Sequence, residues 1–255
     1  MKILGLNLCG KLNVGDANCS PLQYFKFSGE IDMLDIDETE IIRNYEPDLV
    51  IFGGASWPKR AEVWAEFFAD VPKIGWGIGW TKKKSISLLP PKAHVKLSRK
   101  FIMYGHRDWG CVGEYLPCVS CMSELFDVHR RIERPYVFFD RWPDGPLAGY
   151  EPRMLNTTRD MGEILDFLGS GRVVVTTAYH GAYWGTLLKR PVVVVNPYSS
   201  KLYHFKYPPV VMPREWDEEV GSRQVTSYPS ALDDARGRNV SFYCRVTQWI
   251  RANLN

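Results

Sequence analysis

No stretch of this chain approaches the roughly 20 consecutive apolar residues that a membrane span needs, so no integral membrane contact is expected. Cysteine is sparse, at 6 in 255 residues. That is too few for a disulfide scaffold and points to a reduced, cytoplasmic protein. A strong excess of one charge is also missing. The net charge of +3 is far from a polybasic tail, and it neither demands nor excludes a nucleic-acid partner. There is no internal repeat and no low-complexity tract. The opening "MKILGLNLCG" has one lysine and a short apolar run, but no small-residue cleavage region follows. It reads as a first buried strand. What remains is ordinary for a globular chain, 45% hydrophobic and 24% charged. The length suits one large domain or two of about 120 residues.

Strand-like and helix-like stretches alternate. "KILGLNL", "EIDMLDI", "DLVIFGG", "PKIGWGIGW" and "FIMYG" read as strands of a first half. "IDETEIIRNYEP" reads as a helix that ends before Pro47. "KRAEVWAEFFADV" reads as a helix with Val63, Trp64, Phe67 and Phe68 on one face. The basic, double-proline stretch "TKKKSISLLPPKAHVKLSRK" reads as a surface excursion. The pattern then restarts with "RPYVFFD", "RVVVTT" and "PVVVVNP" as strands. The helix "TTRDMGEILDFLGSG" has Thr158 as its expected cap and Gly169 to Gly171 as its stop. "GAYWGTLLKR" reads as another helix and "VSFYCRVTQWIRANL" as an amphipathic tail. This βαβ order predicts an α/β protein of two Rossmann-like halves, residues 1–127 and 128–255, hinged near "FDVHRRIER".

In open α/β sheets, ligands collect at the carboxyl ends of the strands. Thr177, Tyr179, His180 and Gly181 fall at such an end, where a helix start offers free N–H groups to an anion. Gly181 would let a ligand approach the backbone. Ser199, Ser200 and Lys201 fall at the next strand end, with two hydroxyls and a cation.

Several short anchors resemble the polysaccharide pyruvyl transferase family. They are "NVGDANCSPLQYF", with Asn13, Gly15 and Asp16 in an N-x-G-D pattern, "DLVIFGGASW", "PKIGWGIGW", "YGHRDWG" with Arg107 and Asp108, and "VVVTTAYHGAYWGTLL". The resemblance implies two Rossmann-like domains that face one another across a cleft, as in GT-B-like glycosyltransferases. One departure matters. The family's arginine two residues before the histidine, which grips phosphoenolpyruvate, is Ala178 here. Loss of such a charge-assisted contact costs about 1.5–3 kcal/mol. A nucleotide sugar therefore becomes the expected donor and co-substrate, with no further cofactor and no metal.

On this reading the chain is a glycosyltransferase that moves a sugar to a hydroxyl acceptor. The alternatives are a pyruvyl transferase and an inactive binding module of the same fold. His180, Ser199, Ser200, Lys201 and Arg107 would hold the donor, with Thr177, Tyr179 and Gly181 lining its pocket. Asp16, with Asp108 second, would act as base. Asn13, Gly15, Gly54, Trp57 and Trp80 would line the acceptor side, because sugars stack on indole faces. Trp76 and Trp109 belong to the same group of strand-end tryptophans. A saccharide acceptor is expected, and the lysine run also permits a nucleic acid. "CVSC" (Cys118 and Cys121) has the spacing of a redox or half-zinc motif, with Cys111 upstream and His106 or His129 to complete a set. No second pair stands at normal spacing, so these cysteines are expected to pack a loop near the cleft, with Ser120 facing the ligand.

Overall fold

All eight predicted strands form in the computed structural model, which describes residues 1–10, 13–54, 58–80, 93–158, 160–219 and 225–254. The first half holds β1 (Lys2–Asn7), β2 (Glu30–Asp35), β3 (Leu49–Phe52), β4 (Lys73–Ile78), β5 (Met103–His106) and the short β6 (Glu114–Tyr115). They make one parallel sheet in the order β2-β1-β3-β4-β5-β6. The second half holds β7 (Arg134–Asp140), β8 (Arg153–Leu155), β9 (Gly171–Thr176), β10 (Val192–Val195) and β11 (Val210–Met212). They form a second parallel sheet in the order β11-β10-β9-β7-β8. Two separate parallel sheets in βα alternation are two Rossmann-like units, the GT-B-like architecture. The central strands β3, β4 and β10 are buried at every residue, as strands covered on both faces must be. Strands β6, β8 and β11 escape sequence reading because two or three residues carry no period.

The helices refine the sequence reading. Helix α1 (Val14–Ala17) is a single turn after β1, and α2 (Thr39–Arg43) follows β2. In α3 (Pro58–Phe67) the expected apolar face is rotated. Val63 and Phe67 are 61% and 49% exposed, and the buried stripe is Ala61, Trp64, Ala65 and, just past the helix, Phe68. Spacings of three and four with small alanines let this helix lie close to the sheet. Helix α4 (Ala93–Ser98) forms inside the stretch read as a surface excursion, whose residues 81–92 lie outside the described structure. Helix α5 (Met161–Ser170) is capped by Asp160, whose side chain accepts from Glu163 N, and not by Thr158. Thr158 instead bonds the Glu163 carboxylate at 2.8 Å. The chain passes from Ser170 straight into β9 at Gly171.

Helix α6 (Tyr179–Leu187) follows β9 and is buried throughout. Helix α7 (Ala231–Asn253) lies in the second half of the sequence but packs on the first sheet. Its Phe242, Val246 and Ile250 join Ile3, Leu49, Ile51, Ile74 and Trp76 in one apolar cluster. Asn239, fully buried on the same helix, accepts from Trp76 Nε1 at 2.7 Å and donates to the Pro117 carbonyl at 3.3 Å. Trp76, expected near the ligand, is thus a core residue. Another cluster runs unbroken from Leu4 and Phe52 to Trp184 and Val194, so the halves share a core. None of the described helices is long and apolar enough to cross a membrane.

The rotated stripe can be checked directly. Phe68→Ala should cost about 3–5 kcal/mol, whereas Val63→Ala should stay within about 0.5 kcal/mol of the parent. Urea unfolding of the two variants measures both.

Candidate functional site at the junction of the halves

The loops at the carboxyl ends of the two sheets meet. Asn13 caps α1: its Oδ1 accepts from Asp16 N at 3.3 Å, and its Nδ2 donates to Asp16 Oδ2 at 2.8 Å. From the other half, Asn156 Nδ2 donates to Asn13 Oδ1 at 3.3 Å. Trp109 N donates to the His204 carbonyl at 2.9 Å and joins the halves a second time.

At the centre of this seam, His180, in the first turn of α6, lies against Gly15. A Cβ on Gly15 would stand 1.9 Å from His180 Nδ1, so only glycine admits the ring. His180 Nε2 is 3.6 Å from both Cys19 Sγ and Cys118 Sγ, and the sulfurs are 3.4 Å apart. Burial opposes ionisation of Cys118, but hydrogen bonds from Cys19 and His180 and the charge of Arg107 hold its thiol well below the ordinary range. Cys19 is pushed the other way, by its bond to Cys118 and by burial. Gly181, expected to admit a ligand, packs on protein: its Cβ would lie 2.3 Å from Thr176 Oγ1 and 2.6 Å from Phe139.

Beside the seam, cations and rings alternate. Arg107 Cζ stands 4.3 Å from the centre of the Tyr179 ring, and Lys201 Nζ lies 5.4 Å from the same ring. Lys201 Nζ is also 5.4 Å from the Tyr198 ring, and Arg141 Cζ is 4.3 Å from it. Arg107 is 2% and Lys201 9% exposed. Among the described residues, none of the three cations has a carboxylate within salt-bridge distance. Arg107 Nε, Tyr198 OH, Ser199 Oγ and His204 Nε2 are buried without a hydrogen-bond partner in the described structure. Buried polar atoms are normally satisfied, so these four are exceptions.

Asp108 is engaged through one carboxylate oxygen, and its buried Oδ1 has no described partner. Its Oδ2 accepts from Trp80 N at 2.6 Å and lies 2.8 Å from His94 Nε2, while His94 Nδ1 is 2.7 Å from Tyr104 OH. His106 stacks on His94 with ring centres 4.4 Å apart, and neither of its nitrogens has a described partner. Burial, and then the neighbouring His94, push the His106 pKa down to about 4. His94, His106 and Cys111 lie close enough to share a metal ion, but both nitrogens of His94 are already engaged.

An open pocket of about 860 Å³ lies over the carboxyl ends of β7, β10 and β11. Trp142, Asp144, Tyr150, Asn196, Tyr198 and Glu215 are among its lining residues. The turn that carries Arg141 and Trp142 is held by Asp140, which accepts from Thr177 Oγ1 at 2.6 Å, Arg153 Nη2 at 2.8 Å and Arg141 N at 2.7 Å. Burial alone would raise the Asp140 pKa, but these bonds outweigh it and keep the carboxyl below its usual range. Thr177 thus fixes the pocket's rim from behind.

The fold brings together Asn13, Gly15, Asp16, Cys118 and Arg107 of the first half with Tyr179, His180 and Lys201 of the second. Ser199 and Ser200 are buried in the adjoining loop, and Asp16 is half-buried at the seam's edge. Gly54 abuts Gly77 and Arg107, where a Cβ would stand 2.8 Å from the Gly77 carbonyl oxygen. Trp80 is half-buried, Trp109 is 42% exposed, and Trp57 lies outside the described residues. Ser120 does not face a ligand: it is fully buried and accepts from Trp184 Nε1 at 3.0 Å. Nor do Cys118 and Cys121 act as a pair, since Cys121 Sγ accepts from Asn239 Nδ2 at 3.4 Å. A D-x-D triplet, Asp35-Ile36-Asp37, ends β2, but it is spent internally. Asp35 accepts from the backbone of Cys9 at 2.8 Å, Gly10 and Asp37 at 2.9 Å, and Asp37 pairs with Arg60 at 2.9 Å. Sequence reasoning missed Cys19, His94, Arg141, Trp142 and Tyr198. The strand-end rule applied at Thr177 also holds for "FFDRW" at the end of β7, and would have found Arg141 and Trp142.

No family model matches the chain, and no curated protein does. Two solved structures resemble it over their whole length. Anabaena HepE in complex with UDP and glucose is 12% identical with a TM-score of 0.49. Anabaena HepE in complex with UDP is 13% identical with a TM-score of 0.46. Each alignment covers 100% of this chain and 99% of the other. Both TM-scores are below 0.5, so the functional reading rests on the geometry of this chain.

The buried His106 should leave a mark on stability. Its folded pKa of about 4 lies below the ordinary 6.5, so between those values the unfolded chain binds the extra proton. Its contribution is full above about pH 6.5 and is lost as pH falls towards 4. Urea midpoints across that window should fall with acid, and His106→Asn should flatten the slope.

Proposed function

We propose that the protein is a glycosyltransferase that binds a nucleotide-sugar donor over the second sheet and moves the sugar to a saccharide hydroxyl. The observation that carries this reading is the row Arg141–Tyr198–Lys201–Tyr179–Arg107, three cations without a salt-bridged carboxylate among the described residues. Cations held near low-dielectric surroundings await an anion. The adjoining pocket of about 860 Å³ falls in the range of small-molecule sites. It lies where a Rossmann-like sheet takes its ligand, outside the carboxyl strand ends. In this reading the Trp142 and Tyr198 rings hold the base, and Asn196 and Glu215 meet the ribose. Lys201 and Arg141, with Ser199 beside them, hold the diphosphate. As the sugar leaves, charge grows on that diphosphate, and fixed cations stabilise it without reorganising.

The leaving group is assigned to these cations rather than to His180, whose ring faces two sulfurs. Asp16 is the proposed base. Its carboxylate is half-buried at the seam and held by Asn13, a geometry that leaves Oδ1 free of the cap bond to Nδ2. Asn13, Gly15, Gly54, Trp57 and Trp80 are proposed for the acceptor side.

A thermal-shift panel of UDP-, GDP-, CMP- and dTDP-sugars beside phosphoenolpyruvate tests the donor. One nucleotide sugar should raise the melting temperature by mass action. Lys201→Ala or Arg141→Ala should weaken it about 10–100-fold, the worth of one charge-assisted contact. Stabilisation by phosphoenolpyruvate alone would turn the assignment to pyruvyl transfer with Arg107 in place of the missing arginine, and binding without turnover would leave a binding module. For the chemical step, Asp16→Asn should reduce turnover by about 10²–10⁴-fold, as loss of a general base does, with donor affinity nearly unchanged. Equal losses in both would make Asp16 a structural cap.

A further inference from the structure

Cys19, Cys118 and His180 arrive at one point from three elements. Cys19 follows α1, Cys118 lies in the loop after β6, and His180 sits in the first turn of α6. The first two belong to the first half and the third to the second. Their exposures are 0%, 1% and 4%. The three ligand atoms form a nearly equilateral triangle, with edges of 3.4, 3.6 and 3.6 Å.

Hydrogen bonding engages the two sulfurs outside the triangle as well, Cys19 Sγ donating to the Gly15 carbonyl at 2.9 Å and Cys118 Sγ lying 3.3 Å from Ser120 Oγ, but it does not explain why the imidazole sits midway between them. His180 Nε2 has one proton or one lone pair, so it serves one sulfur at a time, yet it stands equally far from both. A single metal ion serves all three. With Zn–S near 2.3 Å and Zn–N near 2.0 Å, tetrahedral zinc sets its ligand atoms about 3.5–3.8 Å apart. The two sulfur–nitrogen edges already have that length, and the sulfurs need part by only a few tenths of an ångström. A disulfide would require the same sulfurs to close to about 2.05 Å and would leave the imidazole without a partner. Gly15 belongs to the arrangement, since any side chain there would exclude the imidazole.

We propose that Cys19, Cys118 and His180 bind one zinc ion that ties the two halves together at their seam. Two thiolates and an imidazole are soft and borderline donors, the set that suits zinc over magnesium or calcium. Three protein ligands leave one coordination position for water. The spacing of the three in sequence resembles no metal motif, because the fold and not a local loop assembles them. Cys19, Cys118 and His180 do not line the donor pocket, and the zinc readouts need no nucleotide sugar, so the two proposals fail separately.

The test uses the full chain, purified without a metal-affinity tag or chelator. Elemental analysis should find one zinc per chain, and removal of it should lower the melting temperature, with recovery on adding zinc alone. Cobalt(II) added to the stripped protein should give a sulfur-to-cobalt charge-transfer band and the visible bands of a tetrahedral ion. Cys118→Ser should weaken binding more than the roughly 10–100-fold that loss of an outer partner costs. Cys244→Ser, which removes an exposed thiol away from the seam, should leave it unchanged. Should Cys118→Ser fail to fold, the cobalt spectrum of the parent decides. A parent chain with no stoichiometric zinc and no charge-transfer band would overturn the proposal. So would a Cys19–Cys118 disulfide in the native protein.

Discussion

The packing of His180 onto Gly15 is the constraint on which the rest of the molecule depends. One half contributes a backbone with no side chain, and the other fills the space with an imidazole. That contact sets the distance between the carboxyl ends of the two sheets. With it fixed, Cys19 and Cys118 come within reach of the ring, and Arg107 comes to rest on Tyr179. The return of the last helix onto the first sheet makes the same join from behind, through Phe242, Val246 and Ile250. Two sheets that are separate in hydrogen bonding thus share their apolar core.

The seam and the pocket divide the chemistry between them. The seam is buried and lined by sulfur, imidazole and glycine. The pocket is open, rimmed by indole, phenol, carboxamide and carboxylate. Lys201 stands between them, over Tyr198 on one side and Tyr179 on the other. The row of cations therefore runs from the open site into the buried one. Its positive charge is offset by ring faces, whose quadrupoles attract cations without neutralising them. An incoming anion would find that charge still available. Asp140 and Thr177 hold the rim rigid from behind, so the pocket owes its shape to the second sheet.

Much of the frame was legible in the chain. Continuous runs such as "VVVV" and "LVIF" can be strands only where helices cover both faces, and that requirement already implies parallel βαβ units. The strand-end rule led to Lys201, Ser199 and His180, and the family-like anchors led to Gly15, Asp16, Arg107 and Asp108. Helix faces were harder. Val63 and Phe67 look like core by composition, yet Ala61 and Ala65 are buried in their place, because close helix–sheet packing selects small residues that carry little hydrophobic signal. Helix α4 was hidden by the lysines and prolines around it, and with it went His94, the partner of Asp108.

By itself, the sequence determined the elements, their order and the parallel sense of both sheets, because backbone hydrogen bonding and apolar periodicity are local properties that neighbouring residues encode. It also determined that polar residues crowd the strand ends. Only the tertiary structure decided which of them meet. Cys19 and Cys118 are 99 positions apart, and His180 is a further 62 away. No local pattern records such a distance. Their meeting depends on how two sheets dock, which is set by the summed packing of a shared core.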